Sequence, residues 1–144
     1  FVEGATEFEF MRVIEKAGNT RRQDMSHYGE KWGYGQQLLW SDTKMGDKLT
    51  IALTVKDAGR YDVVLQVARA NDYGIIQVSL DGEKIGEPID CYNTEVKLNG
   101  EVKLGAKELT AGEHKLTVEL VGTNEKTKGR YLAGLDYIRL VPAK

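Results

Sequence analysis

The chain has 144 residues, 41% of them hydrophobic, which is enough for one domain spanning residues 1–144 with its own core. Its 20 basic and 22 acidic residues leave a net charge of -2, so electrostatics gives no basis for binding nucleic acid or an anionic membrane. No apolar run approaches the roughly 20 residues that a membrane span needs. We therefore expect a soluble domain with no nucleic-acid and no membrane partner.

The ends of the sequence and its one cysteine bear on the setting of the protein. The chain starts at Phe1 rather than methionine and stops soon after LDYIRLV, so we interpret it as a module cut from a longer protein. Any signal peptide would then lie outside this sequence. The lone Cys91 excludes an internal disulfide and a cysteine-based zinc site, and fits both the cytosol and a bacterial exterior.

The first predicted strand contains EFEF, in which Glu7 and Glu9 are two residues apart. On a strand both carboxylates would share one face about 6 to 7 Å apart, where their repulsion favours a bound hard cation. The alternative is that Phe8 and Phe10 face the core while both glutamates face water. The spacing leaves both interpretations open.

Residues 27–40, HYGEKWGYGQQLLW, hold both tryptophans of the chain together with three glycines. Rings among glycines are typical of exposed loops, so we predict that Tyr28, Trp32 and Tyr34 form a ligand-binding loop. Trp40 follows two leucines directly and is predicted to lie in the core.

Alternation of apolar and polar residues dominates the rest of the sequence. LTIALTV, YDVVLQV, GIIQVSL and KLTVELV each place their apolar residues on one face, as in half-buried strands of antiparallel sheets. Helical stripes of a dozen residues are absent, although the polar residues 12–26 have room for a short helical turn. About eight or nine short strands with Gly-rich turns predict an all-β fold, and we favour an antiparallel β-sandwich over a barrel.

Turn signals separate these strands. Asp81-Gly82 and Asn99-Gly100 are predicted β-hairpin turns, because type I′ turns need positive φ at both central residues. Ala58-Gly59 and Ala111-Gly112 each precede an alternating strand in the same way.

In the last predicted strand, Asp136 shares a face with Ile138 and Leu140, so we expect its carboxylate to point inward, where it needs a partner. A cation and an arginine are both candidates. Tyr61 and Tyr137 fall inside strands and are predicted core residues.

Three landmarks occur in order: EFEF, the block MGDKLTIALTVKDAGRYDVVLQVA followed by VSLDGEKIG, and the closing TAGEHKLTVELVGTNEKTKGRYLAGLDYIRL. Together they resemble the carbohydrate-binding modules of families 6 and 35 over nearly the whole chain. The resemblance implies a β-jelly-roll sandwich, sugar binding by loops at one end, and a structural calcium ion held by Glu7, Glu9 and Asp136. Residues 19–37 depart from the family pattern, as an insertion that either forms or covers the site.

The resemblance also implies a sugar-binding asparagine before the last strand, which corresponds to Asn124; a simple turn residue is the alternative. Sugars stack their C–H faces on aromatic rings and need donors and acceptors for their hydroxyls. Arg130 nearby either meets an acidic sugar or is solvated. The predicted sugar-binding residues are Tyr28, Trp32, Tyr34, Tyr73 and Asn124, with Tyr131 in reserve.

The sequence selects no catalytic residues: no carboxylate pair stands out, and His27 and His114 lie in no recognisable motif. We therefore predict a noncatalytic module that binds a poly- or oligosaccharide. It would be linked covalently to a polysaccharide-degrading enzyme, outside or on the surface of a bacterial cell. The alternatives are a structural or oligomerisation sandwich of a glycoside hydrolase and, more weakly, a small hydrolase or lyase.

Overall fold

A computed structural model describes residues 4–28 and 32–143, which form two antiparallel β-sheets and three short 3-10 turns. The 3-10 turns are Phe8–Phe10, Ser26–Tyr28 and Gly33–Gly35. The strands are β1 (Ala5–Glu7), β2 (Val13–Lys16), β3 (Asn19–Asp24), β4 (Gln36–Ser41), β5 (Lys48–Val55), β6 (Gly59–Arg69), β7 (Ile75–Leu80), β8 (Glu83–Lys84), β9 (Ile89–Asp90), β10 (Lys97–Leu98), β11 (Val102–Leu109), β12 (Gly112–Gly122) and β13 (Ala133–Pro142).

The two sheets divide these strands into seven and six. The seven-stranded sheet has the order β10-β6-β13-β4-β3, with β1 paired to β13 and β11 paired to β6. The six-stranded sheet has the order β2-β5-β12-β7-β8, with β9 paired to β7. The predicted all-β antiparallel sandwich is therefore confirmed.

The core lies between the two sheets and follows the predicted alternation. In β5 the residues Leu49, Ile51 and Leu53 are buried, and β12 contributes Leu116 and Val118 beside them. Such alternation arises because successive side chains of a strand point to opposite faces. Apolar residues at every second position therefore cover one face of each sheet, and the two faces bury each other.

Three aromatic predictions concern this core. Trp40 is fully buried as predicted, and its indole N–H donates to the carbonyl of Ala17 at 2.7 Å. Tyr137 is buried and donates its hydroxyl to Glu101 at 2.5 Å. Tyr61 is only half-buried, because its hydroxyl reaches out to the carbonyl of Asp57.

The two predicted hairpin turns have different outcomes. Asp81-Gly82 joins β7 to β8 with positive φ at both residues, as the type I′ prediction requires. Asn99-Gly100 is not a hairpin turn: β10 and β11 both pair with β6, and the turn joins two segments along that one neighbour. The Asn99 amide donates to the Val67 carbonyl there and keeps the connection on β6.

Residues 12–26, which have room for a short helical turn, form mainly the strands β2 and β3. β2 pairs with β5 at the edge of one sheet, and β3 pairs with β4 at the edge of the other. Edge strands face water on more than one side, so their sequence is polar without a clear period. Only the turn Ser26–Tyr28 has 3-10 geometry.

The two similar Ala-Gly segments carry the chain between the sheets at one end of the sandwich. One leads from β5 to β6 and the other from β11 to β12. Gly59 is opposite Leu109 in one sheet, and Gly112 is opposite Val55 in the other. Across the described ranges, helices long and apolar enough to cross a membrane are absent.

Candidate functional site

The aromatic segment folds back over the face of β4 that points away from the core. Tyr28 and Tyr34 are 37% and 62% exposed, whereas Trp32 is 4% exposed. The expectation that Trp32 is an exposed loop residue is therefore wrong. Its indole N–H donates to Gln37 Oε1 at 2.9 Å, and its ring centre lies 6.4 Å from that of Tyr28. Residues 29–31, within the same segment, lie outside the described residues.

Gln37 lies at the centre of a hydrogen-bonded group that we call the Gln37 network, made of Gln37, Gln23, Trp32 and Tyr73. Its amide nitrogen donates to Gln23 Oε1 at 2.9 Å and to the Tyr73 hydroxyl at 3.0 Å. With the bond from Trp32, the fully buried amide of Gln37 uses both its N–H groups and its oxygen. The network therefore fixes Trp32 and Tyr73 against β4.

Gly134 makes room for this network. It is opposite Leu39 in the pairing of β13 with β4, on the same outer face as Gln37. A Cβ atom at Gly134 would lie 2.6 Å from the Gln37 amide nitrogen. A larger residue there would displace the Gln37 amide and with it the hydrogen bonds of the network.

Beside the network, the outer face of β3 and β4 contains an open cleft of about 440 Å³, which we call the outer cleft. Its apolar surface comes from Leu39, Leu132, Val96 and the rings of Tyr28 and Tyr73. Its remaining lining residues are Arg21, Gln23, Met25, Ser41, Asp42, Ala70, Asn71, Asp72 and Arg130. Rings and apolar side chains beside free polar groups are the surface that a sugar ring with its hydroxyls requires.

The cleft continues into a smaller hollow of about 160 Å³ that contains Tyr131. The two share Ser41, Asp42, Arg130 and Leu132. Thr43 donates its hydroxyl to the Tyr131 carbonyl and so fixes this end. The reserve residue Tyr131 therefore borders the same site as Tyr28 and Tyr73.

The charged groups of the cleft are balanced. Arg130 donates to Asp72 Oδ2 at 2.6 Å, and Asp42 accepts a hydrogen bond from Asn19. Arg21 forms no hydrogen bond or ion pair within the described parts of the chain. Burial raises the pKa of Tyr73 to about 12, so its hydroxyl stays protonated.

Besides Trp32, two of the predicted sugar-binding residues, Tyr34 and Asn124, lie outside the cleft lining. Tyr34 contacts Phe10 edge to face with ring centres 5.4 Å apart. Asn124 donates to Asp90 Oδ2 at 2.8 Å, and its own Oδ1 accepts from the amide of Lys126, which is the turn geometry given above as its alternative. Their roles in sugar binding remain predictions.

Sequence reasoning missed Arg21, Gln23, Gln37 and Asn71 as site residues. Arg21 and Gln23 share one face of β3, but the polar sequence around them has no clear period that predicts a strand. Asn71 stands directly before Asp72 and Tyr73 in the connection from β6 to β7, and that neighbourhood was the available signal. No sequence signal marks Gln37, because its importance comes from hydrogen bonds with Trp32, Gln23 and Tyr73, none of which is its neighbour in the sequence.

A second polar group, the acidic trio of Glu7, Glu9 and Asp136, is buried at the other face of the seven-stranded sheet. Glu7 ends β1, but Glu9 lies in the following 3-10 turn, so the predicted strand spacing of the two is wrong. Both glutamates are nevertheless buried, which contradicts the alternative in which they face water. Phe8 is fully buried, whereas Phe10 is exposed.

Asp136 is fully buried, as its position in the last strand predicts. It lies at a bulge where Leu135 and Tyr137 oppose consecutive residues of β6. The extra residue of a bulge is released from the ladder, which turns this side chain inward.

The acidic trio contains carboxylate oxygens that no other described group neutralises. Glu7 Oε1 and both carboxylate oxygens of Glu9 are buried without a hydrogen-bond partner. Burial raises the pKa of Glu7, and it raises that of Glu9 to about 7, with the charges of Glu7 and Asp136 adding to the effect. In the described residues no three acidic, His or Cys side chains converge as a ready-made metal cluster. Unpaired carboxylate oxygens fit a calcium ion, which would need main-chain carbonyls or water as further ligands.

Cys91 and His114 have no free reactive atom. Cys91 is fully buried, and burial raises the pKa of its thiol to about 12, which leaves it inert. His114 is held between Asp81 Oδ2 at 2.6 Å and the Thr110 carbonyl at 2.7 Å. Both side chains therefore serve the packing of the sandwich.

Comparisons with known proteins identify the fold through solved structures. No family model matches the chain. No curated protein matches it by sequence. A Paenibacillus xanthan lyase matches 99% of this chain with a TM-score of 0.86 and 22% identity, over 13% of the lyase chain. The chain thus spans a small part of that enzyme.

Two isolated carbohydrate-binding modules match over nearly their whole length. The CBM36-1 domain of a xylanase from the hindgut metagenome of Trinervitermes trinervoides has a TM-score of 0.55 at 14% identity, covering 97% of both chains. A family 6 module from Cellvibrio mixtus lichenase 5A, in complex with cellotriose, has a TM-score of 0.53 at 16% identity, covering all of both chains. The β-sandwich of this chain is therefore the fold of such modules, as the sequence resemblance implies.

Proposed function

We propose that this domain is a noncatalytic carbohydrate-binding module and that the outer cleft is its binding site. The observation that carries the proposal is the cleft itself, in which the exposed ring of Tyr28 lies beside side chains free to hydrogen-bond and the buried Tyr73 forms part of the lining. The side chains of Ser41 and Asn71 line the cleft and make no hydrogen bond within the described parts of the chain. The shared fold of solved carbohydrate-binding modules supports the same function.

Isothermal titration against a panel of neutral and acidic plant, algal and bacterial oligosaccharides tests the proposal. We expect a dissociation constant between about 1 µM and 1 mM, because a few stacking and hydroxyl contacts barely exceed the cost of association. Tyr28→Ala should weaken binding about tenfold by removing one stacking ring. Tyr34→Ala is the matched comparison, since it removes an exposed tyrosine outside the cleft. An unchanged affinity in this variant supports the cleft as the site, and a weaker affinity supports the sequence-based prediction for Tyr34. The absence of heat with every saccharide would overturn the proposal.

The role we propose for binding is to hold a covalently linked polysaccharide-degrading enzyme on its glycan, outside or on a bacterial cell. The geometry supports this. Ala5, near one end of the described chain, is opposite Arg139, and Pro142, near the other end, is opposite Tyr61, so both lie toward the end of β13. The cleft lies beside the start of β13, and the ten residues of this strand place it about 30 Å from both ends of the described chain. A fused hydrolase should gain activity on insoluble glycan but not on soluble oligosaccharide. Equal activity with and without the module on both substrates contradicts the targeting role.

For the acidic trio we propose a structural calcium ion. A ligand that binds only the folded state raises stability with its concentration. We expect millimolar calcium to raise the melting temperature above that in EDTA, and magnesium to do so less, since it prefers a rigid octahedral shell. Melting temperatures that do not differ between calcium and EDTA would exclude the ion.

A second candidate function, a structural or oligomerisation domain, is favoured by one exposed aromatic pair. Phe10 and Tyr34 contact each other at the surface, and the guanidinium of Arg22 lies 5.0 Å from the centre of the Phe10 ring. Such patches also occur at protein interfaces. Sedimentation of the wild type and of Phe10→Ala across concentrations separates the two functions, since a concentration-dependent dimer lost in the variant supports the second.

A further inference from the structure

The Asn99-Gly100 dipeptide lies in a bulge at the junction of β10 and β11. Between the pairs that end β10 and begin β11, residues 99–101 face only residues 66–67 of β6. A bulge of this kind leaves part of the junction out of the ladder. Gly100 is exposed with a φ of 93°, and a Cβ atom built on it would meet nothing within 4 Å. The dipeptide is therefore open to water.

An asparagine followed by a glycine contains both partners of a cyclisation. The main-chain nitrogen of Gly100 attacks Cγ of Asn99, which forms the N–Cγ bond and breaks the Cγ–Nδ2 bond. The amide proton leaves with Nδ2 as ammonia, and a succinimide ring remains. Water then opens the ring at Cγ to give aspartate, or at the main-chain carbonyl carbon to give isoaspartate. Glycine favours ring closure because it has no Cβ to crowd the ring, and asparagine is among the thermally labile residues.

One hydrogen bond opposes this reaction in the folded protein. The Gly100 N–H donates to Gln66 Oε1 at 3.0 Å, and the Gln66 side chain is itself buried. The nitrogen attacks only after it has lost this proton, and a neutral amide oxygen accepts the hydrogen bond without removing the proton. The reaction therefore requires the junction to open locally first.

We propose that Asn99 is a site of spontaneous deamidation and that Gln66 sets its rate by holding the Gly100 amide. The reaction consumes only water and releases ammonia. This inference concerns the covalent chemistry of the chain and is independent of the proposed sugar binding.

The other acidic or amide residue that precedes a glycine in a turn, Asp81, provides an internal comparison. Ring closure at an aspartate requires its neutral acid, because the carbon of a carboxylate is a poor electrophile. Asp81 Oδ2 lies 2.6 Å from His114 Nδ1, and its Oδ1 accepts from the Lys115 amide at 2.9 Å. Burial raises the pKa of Asp81, but these hydrogen bonds outweigh burial and lower it overall, so the carboxylate stays ionised. Asp81-Gly82 should therefore remain unchanged at neutral pH.

Isoaspartate at position 99 would loosen the junction, since the main chain then runs through the side chain and gains one atom. β10 has only two residues paired with β6, and the next contact is the bond from the Asn99 amide to the Val67 carbonyl at 2.8 Å. Either acid also loses the bond from Asn99 Nδ2 to the Gly100 carbonyl at 2.9 Å. We expect the purified deamidated protein to melt at a lower temperature than the unmodified one.

The experiment incubates the whole domain at mildly alkaline pH, below its melting temperature, and digests samples with trypsin over time. Cleavage after Lys97 and Lys103 releases residues 98–103, in which Asn99 is the single asparagine. Chromatography with mass spectrometry measures the conversion of amide to acid and separates aspartate from isoaspartate. We expect this peptide to convert faster than residues 70–84, which contain both Asn71 and Asp81.

A pair of matched variants tests the role of Gln66. Gln66→Met keeps a long buried side chain but removes the acceptor, and should deamidate about tenfold faster than the wild type through the loss of one hydrogen bond. Gln77→Met is the control, since Gln77 is also buried but lies in the other sheet and donates to the Val78 carbonyl. It should leave the rate at Asn99 unchanged. Asn99→Ser should abolish the conversion, and melting temperatures establish that each variant is folded.

Each outcome bears on one part of the inference. Conversion of residues 98–103 no faster than that of residues 70–84 overturns the site. A rate in Gln66→Met that equals the wild-type rate, or that Gln77→Met reproduces, overturns the role of Gln66. If Gln66→Met does not fold, hydrogen exchange of the wild type decides: a Gly100 amide protected like its strand neighbours supports the role, and one that exchanges as in urea overturns it. Failure of the proposed function is separate, since it is measured by titration with saccharides.

Discussion

The Gln37 network and the acidic trio are both buried polar groups of the seven-stranded sheet, but they differ in how their hydrogen bonds are completed. In the network, the amide oxygen and both N–H groups of Gln37 have protein partners. In the trio, both carboxylate oxygens of Glu9 have none. A completed network adds rigidity and specificity, whereas an unpaired buried charge costs free energy until a proton or a cation neutralises it. The Gln37 network therefore supports the outer cleft. The acidic trio makes the stability of the fold depend on pH and on the cations in solution.

We expect the largest effect from a substitution that breaks the Gln37 network. Gln37→Ala should lower the free energy of unfolding by about 4 kcal/mol, because it leaves a cavity and removes the partner of the Trp32 N–H. Urea denaturation measures the loss. Gln66→Ala is the control, since Gln66 is also buried but accepts a single hydrogen bond, from the Gly100 amide. Equal losses in the two variants would show that the network has no special weight.

The next effect neutralises the unsatisfied charge. The pKa of Glu9 is about 7 in the fold against 4.5 without burial, so the folded state favours the protonated acid. The free energy of unfolding is then highest below pH 4.5 and falls by about 3 kcal/mol as the pH rises through 7. In EDTA at pH 8, Glu9→Gln should recover most of this loss, and at pH 4 it should change little.

The proposed calcium ion would reverse the sign of that comparison. With the ion bound, wild-type Glu9 is stabilised by charge, and Glu9→Gln should be the less stable protein at pH 8. Urea titrations of each protein in EDTA and in calcium, at pH 4 and at pH 8, give its free energy of unfolding under all four conditions. A Gln variant that is no more stable than the wild type in EDTA at pH 8 contradicts an unpaired charge at Glu9.

The smallest effect concerns a buried charge that does have a partner. The hydrogen bond to Asp81, together with that to the Thr110 carbonyl, raises the pKa of His114 above its usual 6.5. The stability from this pair is full below pH 6.5 and lost as the pH rises through the folded pKa. His114→Asn should therefore cost about 1 kcal/mol at pH 5 and less at pH 9.

Glu9 and His114 thus give the same direction of pH dependence for opposite reasons. Glu9→Gln removes its part of the pH dependence by raising the free energy of unfolding at high pH. His114→Asn removes its part by lowering the free energy of unfolding at low pH. Asp81→Asn should reproduce the His114 result, because it removes the partner that stabilises the charged imidazole. Additive losses in the double variant would contradict the pairing.

The sequence predicts the strands of the core because their pattern is local. Alternation in LTIALTV and KLTVELV follows from burial of one face, and Asp81-Gly82 has the backbone freedom that its turn needs. Trp40 was placed correctly for the same reason, since its neighbours Leu38 and Leu39 belong to a buried strand. These elements can be predicted without knowing which other residues they contact.

The sequence does not predict features that depend on distant partners. Trp32 is buried because Gln37 offers it an acceptor, and nothing in the glycine-rich sequence around it indicates this. Asn99-Gly100 has hairpin chemistry, but β6 is the common partner of both flanking strands. Arg21 was missed because an edge strand with polar residues on both faces has no period to detect.

The edge position of β3 has a further consequence for engineering the protein. An outermost strand presents unpaired backbone groups that invite another chain to add to the sheet, and charged side chains are a common safeguard against such polymerisation. β3 carries Arg21, Arg22 and Asp24 on its exposed positions. Variants that remove the charge of Arg21 therefore weaken this safeguard, and those intended for use at high concentration should keep the charges at Arg22 and Asp24.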